Sequence, residues 1–384
     1  MAKPSKIIYL DNASTTLVNP LVLSSYNELN KSYYGNASSI HYLGEESKRI
    51  LQKGNEQLLS TLNLDSNYEI IFTSGATEAN NLGIKGYCLK NKKRGNHIIT
   101  STIEHASILE TFKQLHDEFG FDVTYVPVSR DGLISVDKIK SAIRKDTILV
   151  SIMGVNNEVG TVEPIHLISK LLANYPKIVF HVDAVQAFGK INLNYKDIDM
   201  FTISSHKIHG LKGTGALVKK KNIDLLPLLS GGGQQNNFRS GTLDIPGIIS
   251  LVKAARLIRE KQQENFDIVN NLFMELYTYL HEHQNLYHIN TVGFANPYIL
   301  NFSLLTKKAS VIVEGLSNMG IMVSSTSACH ARNETISYVV KEMNNSPLIY
   351  SNTIRVSFSS LNTLKDVETL IRGLDKLIKG IKNK

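Results

Sequence analysis

The stretch FTISSHKIHGLKGTG, residues 201–215, joins an apolar run to a polar turn. Residues 200–203, M-F-T-I, are largely apolar and predict a buried strand. The tetrapeptide S-S-H-K, which ends in Lys207, follows this strand, and a glycine-rich segment comes next. A lysine at the end of a strand, beside hydroxyls and an imidazole, can lose its charge and act as an amine nucleophile. Taken alone, this tetrapeptide favours the interpretation that Lys207 is a surface lysine in a turn. The choice therefore depends on the rest of the chain.

Strands and helices alternate on both sides of this stretch. Strands are predicted at 69–73, 96–100, 122–126, 147–153, 177–182, 199–203 and 214–219. Continuous apolar runs such as ILVSIM and KIVFHV are typical of strands that are buried on both faces of a parallel sheet. We therefore expect an α/β fold in which the large domain has a mostly parallel seven-stranded sheet between helices. Ligands of such folds bind at the carboxyl ends of the strands.

The pattern changes after the glycine-rich segment at 230–242. One long helical segment is predicted over about 245–285, and a smaller C-terminal α/β unit follows it. The elements of that unit are predicted as a strand at 298–304, a helix at 308–318, a strand at 321–324, a loop around Cys329, a helix, a strand at 353–358 and a final helix. We predict a large domain at 15–255 and a small domain at 256–384, with residues 1–14 packed against the small domain.

Composition restricts the class of protein. The 384 residues are 42% hydrophobic and 20% charged, as in ordinary globular proteins, and no apolar run approaches the roughly 20 residues of a membrane span. Two cysteines cannot form a disulfide framework, and we expect no signal peptide, so we predict a cytoplasmic protein. The formal charge of +8 comes from scattered lysines. It favours a solvated basic surface over direct nucleic-acid binding.

Polar residues follow several predicted strands of the large domain. The segment SGAT at 74–77 lies between a strand and a helix, where backbone N–H groups and the helix dipole attract a phosphate. Asp183 ends another strand, and Gln186 follows three residues later; taken alone, this carboxylate fits a helix cap equally well. His105 and Asn157 follow two further strands.

A phosphate cradle, an aspartate and a lysine at strand ends together favour one cofactor, pyridoxal 5′-phosphate (PLP). The lysine forms a Schiff base with PLP, and the carboxylate pairs with the pyridine nitrogen, which keeps the ring an electron sink. A planar imidazole can cover the face of the ring. We therefore predict a PLP site and no metal site.

The chain resembles the cysteine desulfurases, within the class V, fold-type-I family of PLP enzymes, over nearly its whole length. The interval of 26 residues between Cys329 and Arg355 resembles the group I branch, and the paired histidines that precede the cysteine in group II are absent. The matching stretches are YLDNASTT (9–16), GNASSIH (35–41), FTSGATEANN (72–81), EHASIL (104–109), VNNEVG (155–160), HVDAVQ (181–186), SSHKIHGLKGTGAL (204–217), RSGT (239–242), SSTSAC (324–329) and TIRVS (353–357).

The resemblance implies how the ring of PLP is held. Lys207 would bind the cofactor as a Schiff base, Asp183 would hold the pyridine nitrogen, and Gln186 would hold the ring oxygen. His105 would stack on the ring and help to move protons. Asn157 would contact both the cofactor and the substrate.

The resemblance also implies a phosphate site and a homodimer. Ala76, Thr77, Ser204 and His206 would hold the phosphate within one subunit. Thr242 would reach the phosphate of the neighbouring subunit, which places the active sites at the interface between two copies of the chain.

Cys329 separates a desulfurase from its relatives. Its polar neighbours in SSTSACHARNET favour an exposed thiolate over a structural thiol. By the resemblance, Arg355 would grip the carboxylate of L-cysteine, L-alanine would be released, and the sulfur would become a persulfide on Cys329. A protein acceptor of iron–sulfur cluster assembly or tRNA thiolation would then take the sulfur. Cys88 is expected to be buried packing.

Two positions depart from the family pattern. Ala37 stands where the family loop usually reads G-N-P, and His330 and Arg332 follow the cysteine where small hydroxyl residues are usual. We hypothesise that His330 and Arg332 lower the pKa of the Cys329 thiol or shape the surface for the acceptor. A neutral surface substitution explains them equally well.

Other activities are compatible with part of this pattern. A class V aminotransferase or a selenocysteine lyase would keep Lys207 and Asp183 but would depend less on Cys329. A binding protein that uses the fold without catalysis would need none of the three. The sequence does not identify the sulfur acceptor.

Overall fold

The computed structural model describes residues 7–325 and 336–380. Its strands are β1 (Ile8–Tyr9), β2 (Tyr68–Thr73), β3 (His97–Ser101), β4 (Asp122–Val126), β5 (Thr147–Met153), β6 (Val179–Asp183), β7 (Met200–Ser204), β8 (Gly215–Lys220), β9 (Tyr287–Ile289), β10 (Ile299–Leu304), β11 (Ile321–Met322), β12 (Ser324–Ser325) and β13 (Thr353–Ser357). Its helices are α1 (Pro20–Ser32), α2 (Tyr42–Thr61), α3 (Ala76–Asn91), α4 (Ala106–Phe119), α5 (Val136–Ala142), α6 (Ile165–Leu172), α7 (Ile245–Glu260), α8 (Gln262–Glu282), α9 (Ala309–Asn318), α10 (Tyr338–Met343), α11 (Pro347–Tyr350) and α12 (Leu364–Gly380). None of these helices has the length and apolarity that a membrane crossing requires.

The large sheet has the strand order β2-β8-β7-β6-β5-β3-β4. Only β8 runs opposite to its neighbours, and the other strands are parallel to one another. Every residue of β5, β6 and β7 is buried, because helices cover both faces of the sheet. The predicted mostly parallel seven-stranded sheet is thus confirmed.

A second sheet lies in the C-terminal part of the chain. Its order is β12-β13-β10-β9, and all of its pairs are antiparallel. The two residues of β1 pair in parallel with β11, so the beginning of the described chain joins this part of the fold. The predicted single strand at 321–324 is wrong: β11 and β12 are separate, because they pair with different partners on either side of Val323.

The two sheets have separate hydrophobic cores. Leu251 of α7 packs into the core of the large sheet, and Leu272 of α8 packs into the core of the second sheet. The predicted single helix over 245–285 is wrong, because Lys261 (φ −110°, ψ 15°) leaves the helical conformation between α7 and α8. This break lets each helix turn its apolar face to its own core. The domain limits at residues 15 and 255 stay predictions.

Glu163 is a buried carboxyl group in the connection between β5 and α6. It is 3% exposed, and its Oε2 accepts a hydrogen bond from the Ile134 N–H at 3.0 Å. Oε1 has no hydrogen-bond partner in the described part of the chain. Burial raises the pKa of Glu163 to about 8, and the bond from Ile134 opposes this shift.

We predict that Glu163→Gln makes the cofactor-free protein relatively more stable as the pH rises. The folded wild type keeps a proton on Glu163 that the unfolded chain releases above its ordinary pKa of 4.5, so wild-type stability falls between pH 4.5 and about 8. In urea unfolding, the free energy of unfolding of the variant minus that of the wild type should increase by more than about 1 kcal/mol from the lower to the upper end of this pH range. Glu28→Gln, at an exposed carboxylate, is the control and should show no such growth. An advantage that is independent of pH would refute the prediction.

Candidate active site

A cavity of about 520 Å³ lies at the carboxyl ends of β5, β6 and β7. It brings together most of the residues that the sequence predicted for the site. Those that line it are Ala76, Thr77, His105, Asn157, Asp183, Gln186, Ser204, His206, Lys207 and Arg355. Thr242 is exposed and does not line it. Cys329, His330 and Arg332 lie outside the described residues.

The first turn of α3 forms one end of the cavity. No side chain of the described residues caps this helix, so N–H groups of its first turn lack an intrahelical partner. β8 approaches the turn so closely that a Cβ on Gly215 would lie 2.7 Å from the Cα of Gly75. The Ser204 hydroxyl, at the end of β7, is buried and has no partner among the described residues. Backbone donors, the helix dipole and an unpaired hydroxyl suit this end to an anion.

His206 adds a neutral imidazole to the same end. Burial, together with the charges of Lys207, Lys212 and Lys190, lowers its pKa to about 4. Its Nδ1 lies 3.1 Å from the hydroxyl oxygen of Thr15. A neutral imidazole contributes hydrogen bonding without adding to the positive charge of the lysines.

Lys207 lies in the single 3₁₀ turn that follows β7. Its Nζ donates hydrogen bonds to the backbone carbonyls of Ser14, at 2.8 Å, and of Ala13. These bonds hold the amine between the large sheet and the N-terminal segment, beside the cavity that the lysine lines.

Asp183 is a buried carboxylate at the end of β6 and is 5% exposed. Its Oδ1 accepts a hydrogen bond from the Val185 N–H at 3.0 Å, and its Oδ2 accepts one from Asn80 Nδ2 at 2.9 Å. Two donors on different elements therefore hold the carboxylate in one orientation.

Gln186 is also held at both ends of its amide. Its Nε2 donates to the Ala13 carbonyl at 2.9 Å, and its Oε1 accepts a bond from Lys190 Nζ at 2.6 Å. Burial, together with the nearby charges of Lys207 and Arg355, lowers the pKa of Lys190 to about 7. With Oε1 occupied by the lysine, Nε2 keeps a second hydrogen for a ligand.

Arg355 is a buried guanidinium on β13, 3% exposed, and it lines the cavity beside Asn157. Its Nη1 donates to the Asn157 carbonyl at 2.8 Å, and its Nη2 donates to Asp11 Oδ1 at 3.0 Å and to Ser14 Oγ at 2.6 Å. Its Nε and the side-chain oxygen of Asn157 are buried without partners among the described residues. A fixed guanidinium beside unpaired polar atoms suits a carboxylate ligand.

Sequence reasoning did not identify Asn80 and Lys190, which support the predicted residues. Each lies four residues after a predicted site residue, Ala76 or Gln186. In α3 this spacing puts Ala76 and Asn80 on one face of the helix, whereas Lys190 bonds to Gln186 across a turn. Asn80 is also part of the quoted stretch FTSGATEANN. The sequence therefore shows this spacing, but it does not show that the two side chains are buried.

The chain matches the family model of the class V aminotransferases over residues 8–370. A NifS/IcsS protein homolog of Lactobacillus delbrueckii subsp. bulgaricus is 39% identical to it, covering 97% of each chain. The cysteine desulfurase IscS of Clostridium botulinum is 37% identical, covering 98% of this chain and 95% of the relative. The solved structure of a NifS-like protein superposes with a TM-score of 0.90 at 33% identity, covering 97% of this chain and 99% of that one. The chain therefore belongs to the class V aminotransferase family and, within it, to the cysteine desulfurases.

Proposed function

We propose that this protein is a PLP-dependent cysteine desulfurase. It removes the sulfur of L-cysteine, releases L-alanine, and carries the sulfur as a persulfide on Cys329 to a protein acceptor. The observation that carries the proposal is that one cavity contains an amine, a buried carboxylate, an anion-binding helix end and a buried guanidinium. The relatives named cysteine desulfurase support the choice of reaction.

Membership of the family implies PLP, and the residues of the cavity fit it. The first turn of α3, the unpaired Ser204 hydroxyl and His206 would hold its phosphate, together with Ala76 and Thr77. At the other end of the ring, Asp183 would hold the pyridine nitrogen. The buried hydroxyl without a partner is the strongest sign of fit, because such groups are rare unless a ligand satisfies them.

The remaining polar groups fit the ring and its bond to the protein. Gln186 has one amide hydrogen left for the ring oxygen, since its oxygen accepts from Lys190. Lys207 would hold the cofactor covalently through its amine. His105 lines the same cavity and would cover the face of the ring, and Asn157 would contact both cofactor and substrate.

When bound, PLP withdraws electrons from the substrate and so makes its carbon–sulfur bond easier to break. The amine of Lys207 would take and return the proton at the Cα of the substrate, since the carbonyls of Ala13 and Ser14 orient it. The guanidinium of Arg355 would orient the substrate by its carboxylate, with the side chain of Asn157 beside it. The guanidinium of Arg355 is buried, which reduces the competition of water for the substrate carboxylate.

The cysteine-bearing segment begins and ends near Arg355 and Asn157, the residues proposed to bind the substrate. β12 pairs with β13 at Arg355, and Cys329 follows the last residue of β12 by four positions, so the chain can separate them by at most about 14 Å. Beyond the segment, the Ser337 hydroxyl donates to Glu158 Oε2 at 2.5 Å, and Glu158 directly follows the substrate-binding Asn157. These attachments support Cys329 as the sulfur acceptor. The effect of His330 and Arg332 on its thiol stays a prediction.

A homodimer is part of the proposal. Thr242 is exposed, as expected if it contacts the phosphate of the neighbouring subunit. Tyr34, Ile40 and Tyr42 expose 71%, 96% and 75% of their surface, and a subunit interface would bury such apolar side chains. A cytoplasmic location, and an acceptor that serves iron–sulfur cluster assembly or tRNA thiolation, also belong to the proposal.

We predict that Cys329→Ala forms neither alanine nor a persulfide from L-cysteine, while PLP stays bound. The thiol accepts the sulfur, whereas the cofactor is attached elsewhere. Amino-acid analysis and mass spectrometry of the alkylated protein measure the two products. Cys88→Ala, at a fully buried thiol, is the matched control and should form both. Alanine release by Cys329→Ala at the wild-type rate would instead favour a class V aminotransferase or a selenocysteine lyase.

We predict that Lys207→Ala loses the visible absorbance of protein-bound PLP, because no other described amine is expected to form the covalent bond. Absorbance spectra of purified protein, incubated with PLP and then desalted, check this. Lys221→Ala, at an exposed lysine, is the control and should keep the absorbance. An unchanged spectrum of Lys207→Ala would show that another group holds the cofactor.

We predict that Gly215→Ala weakens PLP binding by about tenfold or more, the effect of losing one hydrogen bond to a charged group. The new Cβ would press on the backbone of Gly75 and displace the first turn of α3. Equilibrium titration of the cofactor-free protein with PLP measures the affinity. Gly380→Ala is the control, because a Cβ there would meet nothing within 4 Å. Equal affinities of Gly215→Ala and wild type would mean that this turn does not hold the phosphate.

A further inference from the structure

Two buried side chains outside the cavity connect Asp183 to His105. They are Asn80, in α3 and 0% exposed, and Ser107, in α4 and 8% exposed. Asn80 Nδ2 donates one hydrogen bond to Asp183 Oδ2 and another to Ser107 Oγ, each at 2.9 Å. Ser107 Oγ in turn lies 2.9 Å from His105 Nδ1. The four side chains therefore form one continuous hydrogen-bonded chain.

The supply of hydrogens sets the direction of this chain. Asn80 donates both hydrogens of its amide, so Ser107 Oγ accepts one of them and has its own hydrogen to donate to His105 Nδ1. The backbone N–H of Ser107 also donates to Nδ1, at 3.1 Å. Because Nδ1 accepts, the hydrogen of the neutral imidazole lies on Nε2.

The orientation of the Asn80 amide is determined by its two acceptors. The side-chain oxygen of Asn80 is buried and has no partner among the described residues, which destabilises a folded protein. In the opposite orientation, the side-chain oxygen of Asn80 would face the Asp183 carboxylate, and the two would repel each other. An asparagine chosen for packing alone would not leave a buried acceptor unpaired.

The position of Asn80 on α3 links it to the phosphate end of the cavity. Asn80 lies one helical turn after Ala76, a distance of about 6 Å along the axis. The same helix therefore offers its first turn to an anion and its second turn to the carboxylate of Asp183. A displacement of α3 would move both contacts together.

We propose that Asn80 is a positioning residue that orients Asp183 directly and His105 through Ser107. The proposal rests on the proposed function for what Asp183 and His105 do toward PLP. One amide sets the carboxylate that holds the pyridine nitrogen and also the imidazole that covers the ring. Loosening Asn80 would therefore disturb the edge and the face of the cofactor at once.

The test uses cofactor-free protein labelled with ¹⁵N-histidine, in which the resonances of His105 are assigned by their loss in His105→Gln. Asn80→Ala and Ser107→Ala should both move the Nδ1 resonance of His105 in the same direction, because each weakens the bond from the Ser107 hydroxyl. Ser107→Thr keeps the hydroxyl and should restore the wild-type position. Asn81→Ala is the matched control, since its amide donates to the Thr77 carbonyl instead.

A second measurement reports on the carboxylate. PLP titration should show roughly tenfold weaker binding in Asn80→Ala and wild-type affinity in Asn81→Ala, since one hydrogen bond to a charged group is lost. If Asn80→Ala does not fold, Asp183→Ala tests the chain from its other end, because it should shift His105 Nδ1 only if Asn80 connects the two. A His105 Nδ1 resonance that stays at its wild-type position in Asn80→Ala, or in Asp183→Ala where that variant replaces it, would overturn the proposal.

The two measurements separate this proposal from the proposed function. The ¹⁵N spectra require neither cofactor nor substrate, so their outcome decides the role of Asn80 even in a protein that proves to have another activity. Failure of the wild type to bind PLP would overturn the proposed function. The ¹⁵N spectra would still decide whether Asn80 orients His105. Loss of stability without movement of the His105 resonance would identify Asn80 as a packing residue only.

Discussion

One short segment, residues 11–16, connects the parts of the active site to one another. Its backbone carbonyls accept hydrogen bonds from Lys207 and Gln186, and its side chains accept from the guanidinium of Arg355. The lysine and the glutamine belong to the large sheet, whereas the arginine belongs to the second sheet. Because the two sheets have separate cores, packing within either core cannot by itself set the distance between amine and guanidinium. The hydrogen bonds of residues 11–16 help to set this distance, because they reach both Lys207 and Arg355.

Burial and positive charge balance each other in the cavity. Burial lowers the pKa values of Lys190 and His206, and the charges of neighbouring cationic side chains, Lys207 among them, act in the same direction. Groups that ionise less in the folded protein limit the repulsion among the cationic side chains of the cavity. A phosphate at one end and a carboxylate at the other would offset the remaining positive charge, so ligands with two anionic groups suit this site better than neutral ones.

The sequence predicts the strand-end residues well because the responsible pattern is local. An apolar run followed by a polar residue places Asp183 and Lys207 at the same edge of a parallel sheet, whatever the loops do. It could not predict the break at Lys261, since both flanking segments have helical periodicity and only their packing on different cores separates them. The sequence does not identify Asn80 and Lys190 as site residues for a related reason. A polar residue on a helix, such as Asn80, or in a turn, such as Lys190, is ordinary until the fold buries it.

The second sheet connects the proposed substrate-binding arginine to the start of the segment that contains Cys329. β13 carries Arg355, which would hold the substrate, and β12 pairs with it at that residue before the chain continues to Cys329. Any shift of this sheet against the large one would move the substrate grip together with the origin of the cysteine segment. In the proposed function, the substrate-binding arginine and the start of the cysteine segment therefore share one sheet. Residues 11–16 and the bond from Arg355 to the Asn157 carbonyl connect that sheet to the side of the site that contains Lys207. In the proposed function, the large sheet would hold the cofactor, and the second sheet would position the substrate and the start of the cysteine segment.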